Sequence, residues 1–292
     1  MSNPIRIVHT NLDLAEAVAE ARAAGKRVGF VPTMGALHAG HLSLVKLAQE
    51  QAEFTVVSIF VNPLQFGAGE DFDKYPRTLD ADAEQLATVG ADLVYAPSAQ
   101  EIYADESGVI DFSVTQQAGP AGEGFEGAIR PGHFDGMLTV VARLFELVKP
   151  DIAVFGAKDA QQLFLVQQMA ARAFPELRIV KAPIVREPSG LAMSSRNRYL
   201  SASELETAQS LSRSLRAGEA ASCVAGASAS TVLAAAQQVM AAVPEAKLDY
   251  LALVDQSTFA PVAEDFVGRA LLLIAARVGT TRLLDNQEIV IE

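Results

Sequence analysis

Between residues 5 and 181 short apolar runs alternate with segments of helical period, and that order admits few folds. Residues 5–8, 28–31, 54–61, 92–95, 152–155 and 177–181 read as strands. Helical periodicity runs over 12–24, 42–51, 79–89, 136–148 and 160–174. The run over 54–61 is apolar and β-branched without strict alternation, as expected of a strand covered on both faces. Strand and helix in this order predict an α/β fold, a Rossmann-like parallel sheet with helices on both faces. Ligands of such sheets lie beyond the carboxyl ends of the strands.

After about residue 181 the pattern changes. Ser201 followed by Glu204 matches a capping box opening a helix over 201–217, and an alanine-rich helix spans 228–243. Strands are expected over 247–255 and 269–278. The chain thus divides into a Rossmann-like domain over 1–184 and a smaller α+β C-terminal domain over 185–292. The stretch 108–132 holds six glycines. It reads as a strand plus a mobile or ligand-covering loop, with an ordinary surface excursion as the alternative. A further loop is expected over 67–77.

Composition narrows the function classes. With 35 acidic and 23 basic residues the formal charge is −12, which argues against a broad nucleic-acid surface but not against a small anionic ligand held by local cations. No apolar stretch suits a membrane span and no secretory pattern is present, so the expected location is cytoplasmic. The single cysteine, Cys223, excludes an intrachain disulfide, and its alanine-rich surroundings suggest a buried structural thiol.

Four polar segments punctuate this grammar. In the first, Pro32-Thr33-Met34-Gly35-Ala36-Leu37-His38-Ala39-Gly40-His41 joins a strand end to a helix start. Imidazoles and unpaired helix N–H groups there suit phosphate. Helix capping and metal binding are the competing roles for His38 and His41. In the second, Asn62 and Gln65 follow Phe60 and the 54–61 strand, where side-chain amides can read hydroxyl and carboxylate oxygens or merely satisfy a turn. The third, Phe155-Gly156-Ala157-Lys158-Asp159-Ala160-Gln161-Gln162, sets a lysine at a strand-to-helix junction without Walker A spacing. The fourth, from Arg186 to Arg198, contains Ser194, Ser195 and Arg196, either a phosphate-binding rim or a basic linker. Jointly they suggest an enzyme that binds a nucleoside triphosphate between two domains.

The segments 32–41, 60–66, 75–78, 130–136, 155–162 and 193–198 together resemble the pantoate-β-alanine ligase family, within the HxGH nucleotidyl-transferase superfamily. That resemblance implies ATP-dependent ligation of pantoate and β-alanine through pantoyl adenylate, releasing pyrophosphate and then AMP. It assigns His38, His41, Lys158 and Arg196 to catalysis, and Met34, Gly156, Asp159, Ser194 and Ser195, with those four, to ATP. Pantoate falls to Met34, Phe60, Asn62, Gln65 and Gln161. It further implies Mg2+ on the triphosphate with few direct protein ligands, Asp80 or Asp82 assisting, and a homodimer joined through the larger domain. Ala157 and Ala160 depart from the glutamate and tyrosine common in the family. The alternatives are a nucleotidyl transferase on a phosphorylated substrate and a nonenzymatic nucleotide sensor.

Overall fold

The computed structural model describes residues 5–67, 72–105 and 107–292. The chain falls into two compact units, Met1–Ala157 with Gln161–Pro183, and Lys158–Ala160 with Ile184–Glu292.

The first unit is built on a six-stranded sheet in the order β1-β4-β3-β2-β5-β6. Its strands are β1 (Arg6–Val8), β2 (Val28–Thr33), β3 (Phe54–Ile59), β4 (Leu93–Tyr95), β5 (Ile152–Gly156) and β6 (Arg178–Ala182), and every pairing is parallel. Intervening helices are α1 (Asn11–Ala23), α2 (Ala39–Gln49), α3 (Leu79–Thr88), α4 (Ala99–Tyr103), α5 (Glu126–Ile129), α6 (His133–Val148) and α7 (Ala160–Ala173). The central strands are continuous apolar runs because both their faces are covered: Val28, Phe30, Val31, Val56 and Val57 are wholly inaccessible to solvent. From β2 the order runs outward through β3 and β4, and from β5 it runs the other way through β6. The carboxyl ends of β2 and β5 therefore flank a topological switch point, where a doubly wound sheet leaves a crevice.

In the second unit, α8 (Ala202–Ser222) and α9 (Ala229–Ala241) pack on an antiparallel sheet of β7 (Ala246–Asp255), β8 (Gly268–Val278) and β9 (Thr281–Ile291). Both helices open with capping boxes, Ser201 with Glu204 and Ser228 with Thr231. The backbone bond from Ser201 holds the Glu204 carboxyl below its usual range. Close packing of α8 on β8 depends on Gly218, where a Cβ would lie 2.4 Å from Leu272 Cδ2. Gly279, at φ 56°, makes the tight turn into β9.

Two expectations are corrected. Residues 108–132 contain no strand: Ile110 makes one isolated bridge to Ala104, and the segment otherwise forms a short turn at Pro120–Gly122 and the single-turn α5. Residues 109–115 are exposed, and among the described residues no neighbouring strand completes a ladder with them. Cys223 is exposed rather than buried, because α8 ends at Ser222 and the cysteine falls in its exit turn, off the apolar face. β9 was not anticipated. Of the loop expected over 67–77, residues 68–71 lie outside the described residues, and Phe72–Lys74 forms a 3-10 turn.

Candidate active site

The turn that follows β2 is held by a carboxylate from far along the chain. Gly35 and Ala36 adopt φ of 82° and 51°, a left-handed pair that turns two successive amides to one side. Asp82 of α3 accepts from the amides that follow, Ala36 N to Oδ2 at 3.0 Å and Leu37 N to Oδ1 at 2.8 Å. The Thr78 hydroxyl donates to Oδ2 at 3.0 Å. Asp82 is 2% exposed, so the carboxylate is committed to the turn. Gly35 is required twice over, by its φ and because a Cβ would stand 3.0 Å from Asp82 Oδ2 and 3.1 Å from Ile59 Cγ2.

The turn delivers the histidines. His38 is the N-cap of α2, its Nδ1 accepting from Gly40 N at 3.1 Å, and His41 Nδ1 accepts from His38 N at 3.3 Å. This is a capping box built from imidazoles, so the capping role expected as an alternative is realised. The same bonds assign the tautomers: a ring whose Nδ1 accepts carries its proton on Nε2. Both rings, with centroids 4.1 Å apart, thus present Nε2 as a donor beside the N-terminus of α2. Capping and anion binding are compatible, because they use opposite nitrogens of each ring.

Beyond β3 the chain makes a 3-10 turn at Pro63–Gln65, with Asn62 as N-cap. Asn62 is 1% exposed, and Phe60 and Gln65 are also buried. Asn62 Oδ1 accepts from Leu64 N and from the Tyr103 hydroxyl; its Nδ2 donates to Gly136 O and to Gln65 Oε1. Gln65 Nε2 donates to Met34 Sδ at 2.9 Å. Met34, Asn62 and Gln65 are thereby joined in one network. Gln65 O is also gripped, by Arg130 Nη2 at 3.2 Å and His133 Nδ1 at 2.8 Å. Since Arg130 Nη1 can only donate to His133 Nε2, the His133 proton sits on Nδ1 and points at Gln65. Close approach of α6 to this turn requires Gly136, whose Cβ would lie 2.1 Å from Leu64 O.

Gln161 of α7 is 4% exposed, and its amide holds the glycine-rich segment. Nε2 donates to Ala121 O at 2.8 Å and Gly124 O at 2.9 Å, while Oε1 accepts from Glu126 N at 3.1 Å. Gly156 closes β5, and a Cβ there would meet only Leu44 Cδ2 at 3.9 Å, so packing within the protein does not explain its lack of a side chain.

Within the second unit Lys158, Ser194 and Arg196 line one pocket, together with Asn197 and Arg282. Ser194 caps the 3-10 turn Ser195–Tyr199 by accepting from Arg196 N at 3.2 Å. Lys158 Nζ lies 3.6 Å from Asp159 Oδ1, and Asn286 donates to Lys158 O. Arg186 is spent elsewhere, in a two-pronged bond to buried Asp285 at 2.6 and 3.0 Å. Among the described residues no group of three or more His, Cys, Asp or Glu side chains is placed to hold a metal ion.

Sequence reasoning did not single out Tyr103, Arg130, His133 or Asp82 as supports of these groups. Arg130 and His133 had a signal, two basic residues around Pro-Gly at the start of a strongly apolar helix. Tyr103 had none.

Comparison with known proteins follows the same lines. The family model of pantoate-beta-alanine ligase matches residues 6–288. A pantothenate synthetase of Leifsonia xyli is 54% identical over 276 residues, 94% of this chain and 93% of that one. The crystal structure of pantothenate synthetase from Thermus thermophilus superposes with a TM-score of 0.86 at 45% identity, covering 97% of this chain and 99% of that one. That of pantoate-beta-alanine ligase from Francisella tularensis, complexed with beta-gamma ATP and beta-alanine, gives a TM-score of 0.73 at 32% identity, with 97% of each chain covered.

Proposed function

The chain belongs to the pantoate-beta-alanine ligase family, and from that premise we propose how its residues carry the ATP-dependent joining of pantoate to β-alanine. Pantoate carboxylate attacks the α-phosphorus of ATP and pyrophosphate leaves; the amine of β-alanine then attacks the acyl carbon of pantoyl adenylate, and AMP leaves. A free carboxylate is a poor electrophile at carbon, and adenylation supplies the leaving group it lacks.

His38 and His41 stabilise the charge that builds on the phosphate oxygens during the first step. The observation that carries this assignment is their tautomer: the helix holds both Nδ1 atoms as acceptors, so both Nε2 atoms are donors. Lys158 and Arg196 add positive charge to the triphosphate, Ser194 and Ser195 give it hydroxyl and backbone donors, and Gly156 and Asp159 contact the nucleotide. Met34, Phe60, Gln65 and Gln161 form the pantoate pocket with Asn62, Phe60 supplying an apolar wall for the dimethyl carbon. The segment 185–292, in this reading, acts as a lid that brings cationic groups to the nucleotide.

Magnesium enters as a partner of ATP rather than of a protein cage. Asp82, one candidate helper, has its carboxylate committed to three donors. Among the described residues no helix is long and apolar enough to cross a membrane. The proposed location is the cytoplasm, where ATP is at hand. A homodimer joined through the larger domain is supported by the exposed apolar side chains of Val109, Ile110, Phe112 and Val114.

Incubation with ATP, magnesium, pantoate and β-alanine should yield pantothenate, AMP and pyrophosphate in equal amounts, by mass spectrometry. Nucleotide retained in the final product would instead indicate a transferase. ATP binding without pyrophosphate release would indicate a sensor.

A further inference from the structure

The buried amide of Asn62 has every hydrogen-bonding position filled from within the protein. Oδ1 accepts twice, from Leu64 N at 3.2 Å and Tyr103 Oη at 2.6 Å; Nδ2 donates twice, to Gly136 O at 3.1 Å and Gln65 Oε1 at 3.2 Å. The backbone partners fix which end of the amide is oxygen, because Leu64 N–H can only donate and Gly136 C=O can only accept. Asn62 in turn fixes Gln65: its Oε1 must accept, so its Nε2 is the end that faces Met34. Nε2 carries two hydrogens, and the second has no partner among the described residues. A ligand meeting Gln65 therefore meets a donor, the complement of a carboxylate or hydroxyl oxygen.

Tyr103 contributes the shortest bond of this chain of amides. Its hydroxyl is buried at the end of α4, and its ring stacks edge-on against Phe112 and lies 6.3 Å from Phe60. Burial pushes the hydroxyl above its ordinary range, so it remains a donor throughout the working pH of an enzyme. Without that donor, Asn62 Oδ1 keeps only the longer bond to Leu64 N. The amide then loses its tightest restraint, and Gln65 loses the anchor that aims Nε2.

We propose that Tyr103 is a positioning residue for hydroxy-acid recognition, acting through Asn62 to keep the donor end of Gln65 turned toward pantoate. This rests on the reading of Gln65 as a pantoate contact. It also makes Asn62 a support rather than a direct ligand.

The test is steady-state kinetics on Tyr103→Phe, which keeps the ring and removes only the donor. KM for pantoate should rise about five- to tenfold, with kcat, KM for ATP and the melting temperature close to the parent values. Asn62→Asp serves as a second variant. With at most one O–H in place of two N–H donors, it cannot serve both Gly136 O and Gln65 Oε1, and it should raise KM for pantoate further. Gln65→Ala separates the two ideas. If it leaves KM for pantoate unchanged, the pantoate reading of Gln65 fails and the proposal falls with it. If Gln65→Ala raises KM but Tyr103→Phe does not, the proposal alone is overturned. A parallel rise in the KM values of ATP and pantoate would also overturn it, by showing a general structural role. On the Gln65→Ala background Tyr103→Phe should add less than about twofold, since coupled residues are not additive.

Discussion

His41→Ala should lower kcat by about 10²- to 10³-fold, the usual cost of deleting one preorganised donor from a site of developing charge. The substitution removes Nε2–H from beside the N-terminus of α2, and it also removes the acceptor of His38 N–H. The second loss is a capping effect of about 1 kcal/mol and does not threaten the fold. ATP binding should change little, because the ground-state triphosphate keeps the helix N–H groups and the cations, whereas the growing charge loses its dedicated partner. Single-turnover pyrophosphate release beside an ATP-binding titration separates these effects. Parent-like kcat in a folded variant would remove His41 from the reaction.

Gly136→Ala should destabilise the protein by about 3 kcal/mol and reduce kcat/KM for pantoate by about 10²-fold. A Cβ at this position would stand 2.1 Å from Leu64 O and 2.5 Å from Leu64 C, both backbone atoms that no rotamer change can move. Either α6 or the Pro63–Gln65 turn must retreat. Retreat breaks the bond from Asn62 Nδ2 to Gly136 O and shifts the backbone that carries Gln65. Denaturant unfolding and pantoate kinetics check the two halves. An alanine variant with parent stability and parent KM would mean that the contact between α6 and the turn is dispensable.

Much of the parallel sheet is legible because its strands are buried on both faces, and burial writes itself into sequence as unbroken apolar runs such as residues 54–59. The middle strand of the C-terminal sheet is legible for the same reason, with Ala270 to Ala276 all buried. Its neighbour β9 is not, since Asp285, Asn286, Gln287 and Glu288 interrupt any apolar pattern. Buried Asp285 is paired there with Arg186, ninety-nine residues earlier. The pairing of His38 and His41 is only half visible in their spacing: His38 is the extended N-cap just before α2, and the capping box rather than a helical turn brings the two rings together. The device that sets the preceding turn is invisible, because Asp82 lies forty-five residues beyond Leu37 and looks like any acid in a first helical turn. Tyr103 is hidden for the same reason: its partner Asn62 is forty-one residues away. The misplaced Cys223 has another cause. Alanine-rich sequence suggests packing, but one residue past a helix end the apolar face no longer exists.

The decisive measurement is the fate of oxygen from pantoate labelled with 18O in its carboxylate. Attack of that carboxylate on the α-phosphorus, followed by amine attack on the acyl carbon, leaves one labelled oxygen on the phosphate of AMP and one in the amide carbonyl of the product. Mass spectrometry of AMP should therefore show a gain of one 18O for each turnover. AMP carrying no label while pantothenate accumulates would contradict adenylate formation.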